Sequence, residues 1–304
     1  MPGEVFYWVF NMSLLAAFMG LPVLLLRAVK RIPRRITVFL WAVPFLRMGI
    51  PVGLNNPYSL LSLIARFTTR TVTVYQPADV VAFSMTNSLM AADSYFPITY
   101  KAEHLDRVFA VAAQVWFCVA LALTAALGMV YFTTLREVKN AKHLRRNIYL
   151  SKTIQGPAVY GILRPKILLP ASYASEVDPY ILQHESTHIR HGDNLWRLLA
   201  LLLTTVHWFN PFSWLFFRLL LQDLELACDE SVLDRCSEDQ RKAYARSLLH
   251  CAESRRLFPS AFGGAKLRKR IERILSFKKM TGLAAAGFSL LITAILVVLL
   301  TNAA

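Results

Sequence analysis

Two histidines and a glutamate near the middle of the chain have the spacing of a metal-dependent peptidase site. Residues 184–188 read His-Glu-Ser-Thr-His, the HExxH pattern. On a helix, a spacing of four places His184 and His188 on one face about one turn apart, where both imidazoles can bind one zinc ion. Glu185 then lies beside the metal and can take a proton from an activated water. The motif predicts zinc-dependent peptide hydrolysis with Glu185 as the general base.

A third ligand would make this prediction more specific, because short patterns also occur by chance. A metzincin would have a histidine six residues after His188, but that position is Asn194, which excludes the class. Glu225 is the predicted third zinc ligand instead. Asp229, one turn later, is predicted to accept a hydrogen bond from the ring nitrogen of a ligating histidine that faces away from the metal. The alternative interpretation of this segment is a surface helix with solvated acids.

Two further residues have weaker assignments. His191 lies one turn beyond His188 and could therefore face the metal. Its neighbours Arg190, Gly192 and Asp193 indicate a solvated helix end instead. Asn210 directly precedes a proline and is predicted to cap a helix, because asparagine is favoured at that position. A contact between Asn210 and substrate is the alternative.

The elements that carry these residues are predicted from caps and breaks. Asp178-Pro179 predicts a helix that runs through residue 191 and into 193–206, and a second helix follows Asn210-Pro211 to about residue 235. Between them, 195–221 is strongly apolar and is either buried core or a helical hairpin in the inner leaflet.

Upstream of the motif, residues 147–170 contain short extended pieces separated by glycine and proline, which predict two or three strands. Zinc peptidases commonly bind an extended substrate along the edge of a sheet. The segment Ala158–Tyr160 is the candidate edge strand.

Composition places this site in a membrane protein. Of the 304 residues, 55% are hydrophobic and only 17% are charged. The net charge of +15 arises largely beside long apolar runs, which favours anionic lipid headgroups as partners and argues against direct nucleic-acid binding. Four stretches are long and apolar enough to cross the bilayer: about 5–26, 36–54, 108–132 and 282–301.

The basic residues also predict the orientation, because cytoplasmic loops retain lysine and arginine. The turn at 27–35, the segment 136–146 and the segment 268–279 are all strongly basic and are expected inside. Both termini are then outside, and the N-terminal helix is expected to remain as an anchor. The predicted fold is a mainly α membrane protein, with four transmembrane helices and a cytoplasmic α+β zincin-like domain between the third and the fourth.

This fold corresponds to five regions of the chain. They are a transmembrane hairpin (1–54), an extracellular loop (55–107), the third transmembrane helix (108–132), a cytoplasmic zinc metalloprotease domain (133–281), and the fourth helix with a short outer tail (282–304).

Taken together, these features resemble the membrane metallopeptidases of BlaR/MecR type. The resemblance rests on three transmembrane helices followed by Gly156–Pro170, the HExxH motif, Trp208–Pro211 and Glu225–Glu230. It implies that zinc is bound by His184, His188 and Glu225 in a bacterial cell membrane. It also implies a signalling role, in which a C-terminal penicillin-binding domain senses a beta-lactam and the protease leads to cleavage of a BlaI/MecI-type repressor.

The sequence departs from that family pattern at its end. It stops at Ala304, a few residues after the fourth helix, so no sensor domain is expected in it. The signal is then expected to enter through the 55–107 loop or a separate sensor partner, or else the sequence has been cut before the sensor. A homo-oligomer is the alternative to a separate partner. Self-cleavage within 254–280 is also expected, with Arg255-Arg256 and Ser276-Phe277 as candidate bonds.

Two other functions are compatible with the motif. HtpX-like membrane peptidases share the HExxH and ExxxD arrangement, which would make this chain a housekeeping protease of damaged membrane proteins. A catalytically silent receptor or scaffold is the third interpretation, although the intact Glu185 favours an enzyme.

Overall fold

The computed structural model describes residues 2–29, 32–50, 58–59, 105–174, 177–254, 261–279 and 281–301. The predicted extracellular loop 55–107 and the Arg255-Arg256 bond lie almost entirely outside the described residues. The helices, numbered here in chain order, are α1 (Pro2–Ala28), α2 (Arg34–Leu40), α3 (Ala42–Gly49), α4 (Leu105–Asn140), α5 (Pro179–His191), α6 (Asp193–Val206), α7 (Pro211–Leu233), α8 (Glu238–Ser254), α9 (Ala261–Leu275) and α10 (Gly282–Leu300).

Two of the described helices are long and apolar enough to cross a bilayer. They are the segments Val5–Ala28 of α1 and Val108–Asn140 of α4, and a shorter apolar helix covers Ala286–Leu300. Large apolar side chains on α4 are exposed, among them Met129 and Phe132. Such a surface is stable against lipid and costly in water. The helix continues eight residues beyond the predicted boundary at 132, because hydropathy marks where hydrocarbon ends and not where the helix ends.

The second predicted membrane segment is not one continuous helix. It consists of α2 and α3, which are separated at Trp41. Pro44 explains the break, because it has no N–H to donate to the carbonyl of Leu40 and its ring crowds that carbonyl. After α3, Ile50 is extended, as expected for a residue that precedes a proline. The prediction of a helix over 36–54 is therefore corrected to two short helices that end at Gly49.

A four-stranded sheet supports the HExxH helix. Its strands are β1 (Lys142–Arg145), β2 (Ile148–Ser151), β3 (Ala158–Tyr160) and β4 (Lys166–Pro170). They lie in the order β1-β2-β4-β3, with β2 and β4 parallel and the other pairs antiparallel. Buried residues of β2 and β4 form a cluster against which Leu182 and Ile189 of α5 pack. Three strands match the predicted extended pieces, while β1 was missed because all four of its residues are exposed.

The predicted caps are confirmed. The Asp178 carboxylate accepts hydrogen bonds from the backbone N–H groups of Tyr180 (2.8 Å) and Ile181 (3.4 Å), which starts α5. Gly192, at φ 69°, ends α5 in the left-handed conformation that glycine adopts at low cost. The Asn210 side chain accepts from the N–H of Phe212 at 2.9 Å and starts α7.

Helix α7 joins the two main apolar cores. Its first half contributes Phe216, Leu220 and Leu224 to a cluster with α1, α2, α3 and the end of α10. Its last residues belong to a second cluster with α8 and α9. Glu225 lies between the two, so the helix holds the predicted third ligand at the boundary between the apolar bundle and the peptidase residues.

Candidate metal centre

The three predicted zinc ligands converge. His184 Nε2 and His188 Nε2 are 3.2 Å apart. The carboxylate of Glu225 places Oε2 3.5 Å from His184 Nε2 and Oε1 3.6 Å from His188 Nε2. Zinc bonds of about 2.0–2.1 Å in tetrahedral geometry separate neighbouring ligand atoms by about 3.3 Å. These three residues therefore fit a zinc ion at their centre.

The outer nitrogen of His184 is held by two groups. Its Nδ1 lies 2.9 Å from the hydroxyl oxygen of Tyr244 and 3.3 Å from Asp229 Oδ1. Because the Tyr244 hydroxyl donates to Asp229 at 2.6 Å, its oxygen is free to accept from the Nδ1–H of His184. That tautomer leaves the Nε2 lone pair of His184 directed at Glu225. Asp229 therefore lies beside the outer nitrogen of His184, and the Tyr244 hydroxyl joins the two residues.

His188 has a carboxylate of its own, which the sequence interpretation missed. Its Nδ1 lies 2.5 Å from Asp193 Oδ2, and Asp193 is only 2% exposed. The predicted solvated helix end is therefore wrong at this residue. The left-handed Gly192 turns the chain sharply, so the first residue of α6 folds back onto α5. His191 is exposed, as expected, and its Nε2 lies 3.3 Å from the Ser231 hydroxyl.

The electrostatic field at this centre favours a cation. With both Nδ1 atoms donating, two Nε2 lone pairs and a carboxylate face one another within 3.6 Å. Burial opposes the charge on His188, but hydrogen bonds to Asp193 and other neighbours outweigh it and raise its pKa to about 12. Burial likewise opposes charge on His184, and hydrogen bonds to Asp229 and Glu225 still raise its pKa. The same field that retains a proton there would stabilise a divalent metal ion.

A second set of potential ligands shares His188. Its Nδ1, Asp193 and the Cys228 thiol lie close together. The distances are 2.5 Å from Nδ1 to Asp193 and 3.2 Å from the sulfur to each partner. The shortest is a hydrogen-bond length and is too small for two ligands of one zinc ion. Burial raises the pKa of Cys228 to about 12, which disfavours the thiolate that binds metal. This set therefore supports His188 and does not form a second metal site.

Two arginines flank the candidate ligand Glu225. Arg197 donates to its Oε1 at 2.8 Å from α6. Arg270, on α9, lies 3.5 Å from its Oε2 and makes two hydrogen bonds to Asp229, at 2.8 and 2.7 Å. Burial acts to raise the pKa of Glu225, but its contacts with the histidines and Arg270 outweigh burial and hold that pKa well below the ordinary value. Sequence interpretation had assigned Arg270 only to a basic cytoplasmic segment.

Glu185 and Asn210 have different surroundings. Glu185 is 7% exposed and adjoins His184 on α5. Asn210 lies at the start of α7, fifteen residues before Glu225. At a rise of 1.5 Å per residue, the two residues are about 22 Å apart along the helix axis. Its amide donates to the backbone and side-chain oxygens of Ser13 at 3.0 and 2.8 Å. The structure thus gives Asn210 a helix cap and a contact with α1, and the alternative substrate contact gains no support.

Asn194 forms hydrogen bonds with β3, the candidate edge strand for substrate binding. Its side-chain amide donates to the carbonyl of Val159 at 3.1 Å and to that of Gly161 at 2.9 Å. Strand β3 is at the edge of the sheet, and both carbonyls accept from one amide group, so they point to the same side. An extended substrate would have to displace Asn194 to pair with both. Asn194, which stands where a metzincin would have its third histidine, therefore positions β3 beside the HExxH helix.

The sequence of this chain is similar to those of several known proteins. The family model described as BlaR1 peptidase M56 matches residues 7–275. The Regulatory protein BlaR1 of Bacillus licheniformis is 24% identical over 170 residues, which are 52% of this chain and 28% of that protein. The methicillin resistance mecR1 protein of Staphylococcus aureus is 28% identical over 115 residues, 36% of this chain and 19% of that protein.

A second BlaR1, from Staphylococcus aureus, is 30% identical over 111 residues, which are 34% of this chain and 19% of that protein. The matched segments thus span less than a third of each of these relatives. The family match, in contrast, includes the HExxH motif, Glu225 and Arg270 within one alignment of nearly the whole chain. This chain belongs to the BlaR1 peptidase M56 family.

Proposed function

We propose that this chain is a membrane zinc endopeptidase in a regulatory circuit, and that it cleaves a cytosolic repressor-like protein, itself, or both. The observation that carries the proposal is the convergence of His184 Nε2, His188 Nε2 and the Glu225 carboxylate at the spacing of zinc ligands. Two relatives, the Regulatory protein BlaR1 and the methicillin resistance mecR1 protein, support the regulatory part of the proposal.

Each residue then has a definite role. Zinc, bound by His184, His188 and Glu225, supplies a Lewis acid that lowers the pKa of water and polarises a carbonyl. Glu185 takes the proton of the attacking water and returns it to the leaving amine. Asp229 and Tyr244 orient His184, and Asp193 orients His188, so that both Nε2 lone pairs face the metal.

The membrane arrangement proposed with this function keeps the peptidase residues inside. In this arrangement α1 crosses the bilayer and the short helices α2 and α3 return towards the outer side. The segments 108–132 and 282–301 span the bilayer, and 133–281 are cytoplasmic, with both termini outside. The basic segments at 27–35, 136–146 and 268–279 support this orientation. A BlaI/MecI-type repressor in the cytosol would then reach Glu185 and the metal from the inner side.

Metal analysis of detergent-purified protein at neutral pH tests the proposal. We expect one zinc ion per wild-type chain and per Glu185→Gln chain, and strongly reduced zinc in Glu225→Ala. Glu272→Gln, an exposed glutamate on α9, is the matched control and should keep full occupancy. A zinc-free wild type would contradict the metal proposal, and full occupancy in Glu225→Ala would exclude Glu225 as a ligand.

Activity is tested by co-expressing the chain with a BlaI/MecI-type repressor and following both by immunoblot. Wild type should cleave the repressor or itself, and Glu185→Gln should cleave neither. The candidate bond Ser276-Phe277 follows α9 directly, and the Phe277 carbonyl accepts from Arg241 at 3.0 Å. Cleavage there requires this segment to leave its present contacts. A single stable band from both proteins would exclude self-cleavage.

A further inference from the structure

Arg270 holds a guanidinium group against the candidate metal centre. Its Nε and Nη2 donate to the two oxygens of Asp229 at 2.8 and 2.7 Å, a bidentate pair that fixes the plane of the group. The rest of the guanidinium extends beyond Asp229. Nη2 lies 3.4 Å from His184 Nε2, and Nη1 lies 3.5 Å from Glu225 Oε2. Both of these acceptors are atoms that face the proposed metal.

Not every N–H group of Arg270 has a strong acceptor in this arrangement. A guanidinium has five N–H donors, and Asp229 takes two of them. The other three are both N–H groups of Nη1, which lies 3.5 Å from Glu225 Oε2, and one of Nη2, which lies 3.4 Å from His184 Nε2. When those two residues bind a metal through Nε2 and Oε2, their lone pairs are committed to it and accept poorly from Arg270. The N–H groups then require another acceptor at the same place.

The position of Arg270 makes a substrate carbonyl the best-matched acceptor. The Arg270 side chain is 20% exposed, whereas Asp229 is only 4% exposed, so part of the guanidinium is accessible from solvent beside the centre. A carbonyl polarised for attack has to lie next to the metal ligands, and the free N–H groups of Arg270 are there. Arg197 differs, because its 2.8 Å bond to Glu225 Oε1 approaches from α6 and positions that carboxylate.

We propose that Arg270 is a catalytic residue that donates hydrogen bonds to the oxygen of the scissile carbonyl. This inference rests on the proposed function. As the water oxygen bonds to the carbonyl carbon, the C=O π electrons move to the oxygen, where the guanidinium stabilises the negative charge. The water proton passes to Glu185. The C–N bond then breaks as the carbonyl reforms, and the amine nitrogen receives the proton from Glu185.

The expected effect is large, because removing one donor to such an oxyanion lowers kcat by about 10²–10³-fold. The effect falls on the transition state, so KM should change little. Binding of a stable analogue that carries the tetrahedral negative charge should weaken by a similar factor. With zinc in excess, zinc content should stay at the wild-type level, because Arg270 is not itself a ligand and its loss acts on zinc affinity only through Asp229.

The test uses the full chain in detergent. From a fluorogenic peptide library, the peptide that wild type cleaves fastest is chosen, and a phosphinic analogue of that peptide is made at the cleaved bond. Arg270→Gln and Arg270→Lys are compared with wild type in zinc content, kcat, KM and equilibrium affinity for the phosphinic peptide. Arg268→Gln is the control, since Arg268 lies on the same helix, is 82% exposed and pairs only locally with Glu272.

The supporting result is a zinc-loaded Arg270→Gln that loses about 10²–10³-fold in kcat and in phosphinate affinity, with Arg268→Gln unchanged. Arg270→Lys should recover only part of the kcat and of the phosphinate affinity, because an ammonium cannot bind Asp229 and the carbonyl oxygen with one planar group. An Arg270→Gln as active as wild type, or one inactive only through loss of zinc, overturns this proposal alone. If Arg270→Gln does not fold, an Arg270→Lys with wild-type kcat and phosphinate affinity overturns it. A wild type without zinc and without cleavage overturns the proposed function itself.

Discussion

Each histidine of the candidate centre has a separate carboxylate behind it. Asp229, with Tyr244, holds His184, and Asp193 holds His188. Groups that orient a metal-binding histidine commonly contribute 10–100-fold to metal affinity or activity. The two histidines are therefore fixed independently, one from α7 and α8 and the other from the start of α6.

Asp193→Asn should weaken zinc binding by about 10–100-fold, because an amide keeps the shape but no longer favours the Nδ1–H tautomer of His188 with a negative charge. The dissociation constant is measured by competition with a chromogenic chelator. Asp239→Asn, an exposed site on α8, gives the same change in charge and should bind zinc as wild type does. Equal affinities in both variants would show that Asp193 does not support the metal.

Cys228→Ala should retain one zinc ion per chain, because the thiol forms hydrogen bonds to Asp193 and His188 and is not a ligand. Some stability is expected to be lost, about 1 kcal/mol, as for an ordinary core substitution. Zinc stoichiometry and thermal unfolding are measured on the same preparation. Loss of the zinc ion with the fold intact would favour the cluster of His188, Asp193 and Cys228 as the metal site instead.

The parts of the site that the sequence predicted are those set by helical spacing. His184, Glu185 and His188 share one helix, and Glu225 and Asp229 share another, so a periodicity of 3.6 residues is sufficient to group them. Asp193 could not be placed in this way, because a left-handed Gly192 reverses the direction of the chain between it and His188. Arg270 depends on the packing of α9 against α7, which no local pattern reports.

At the level of the element, α7 presents two charged faces. Glu225 and Asp229 face the HExxH helix, while Asp223, Glu230 and Asp234 contact the basic turn that follows α1. Asp223 accepts from Arg27 and from the indole N–H of Trp41, both at 2.8 Å. Glu230 accepts from the backbone N–H of Arg34 at 2.8 Å and caps the start of α2. Helix α7 thus links the first basic turn to the metal centre.

Asp223→Ala should lower the free energy of unfolding by about 3–5 kcal/mol, because it leaves Arg27 and Arg34 in a buried site without the carboxylate they share. Asp234→Ala is the matched control on the same face. Its pair with Arg35 is 38% exposed on both sides, and such pairs contribute about 0–1 kcal/mol. Thermal unfolding in detergent should therefore separate the two variants, and similar midpoints would contradict the assignment.

Gly20→Ala should destabilise the contact between α1 and α7. A Cβ at Gly20 would lie 2.1 Å from Cζ of the fully buried Phe216, and overpacking of this kind costs about 1–3 kcal/mol. Gly128→Ala is the control, because nothing lies within 4 Å of its Cβ and alanine is the better helix former. The double variant Gly20→Ala/Phe216→Leu should recover part of the loss, and no recovery would place the strain elsewhere.

For the whole molecule, the division into apolar helices and a peptidase region was largely predictable. Hydropathy located α1, α4 and α10, while the capping pairs Asp178-Pro179 and Asn210-Pro211 located α5 and α7. The break at Trp41 and the strand β1 were missed for physical reasons. The break at Trp41 depends on a single proline, Pro44, within an apolar run. Strand β1 is an exposed edge strand that is held by backbone pairing with β2 and not by a buried face.

The proposed orientation is tested with Leu163→Cys in a cysteine-free background. Leu163 is 95% exposed within the region proposed to be cytoplasmic. A membrane-impermeant maleimide should label it only after cells are permeabilised. Ala78→Cys, in the predicted outer loop, should be labelled in intact cells. Labelling of Leu163→Cys from outside would reverse the proposed topology.

The two charged faces of α7 couple rotation of the helix to the position of Glu225. A side-chain atom lies about 5–6 Å from the helix axis, so a roll of roughly 10° moves the Glu225 carboxylate by about 1 Å. A misplacement of that size can cost about 100-fold in rate. Because Asp223 and Glu230 contact the first basic turn from the opposite face of α7, any movement of the N-terminal hairpin that rotates α7 would change the distance between Glu225 and the two histidines.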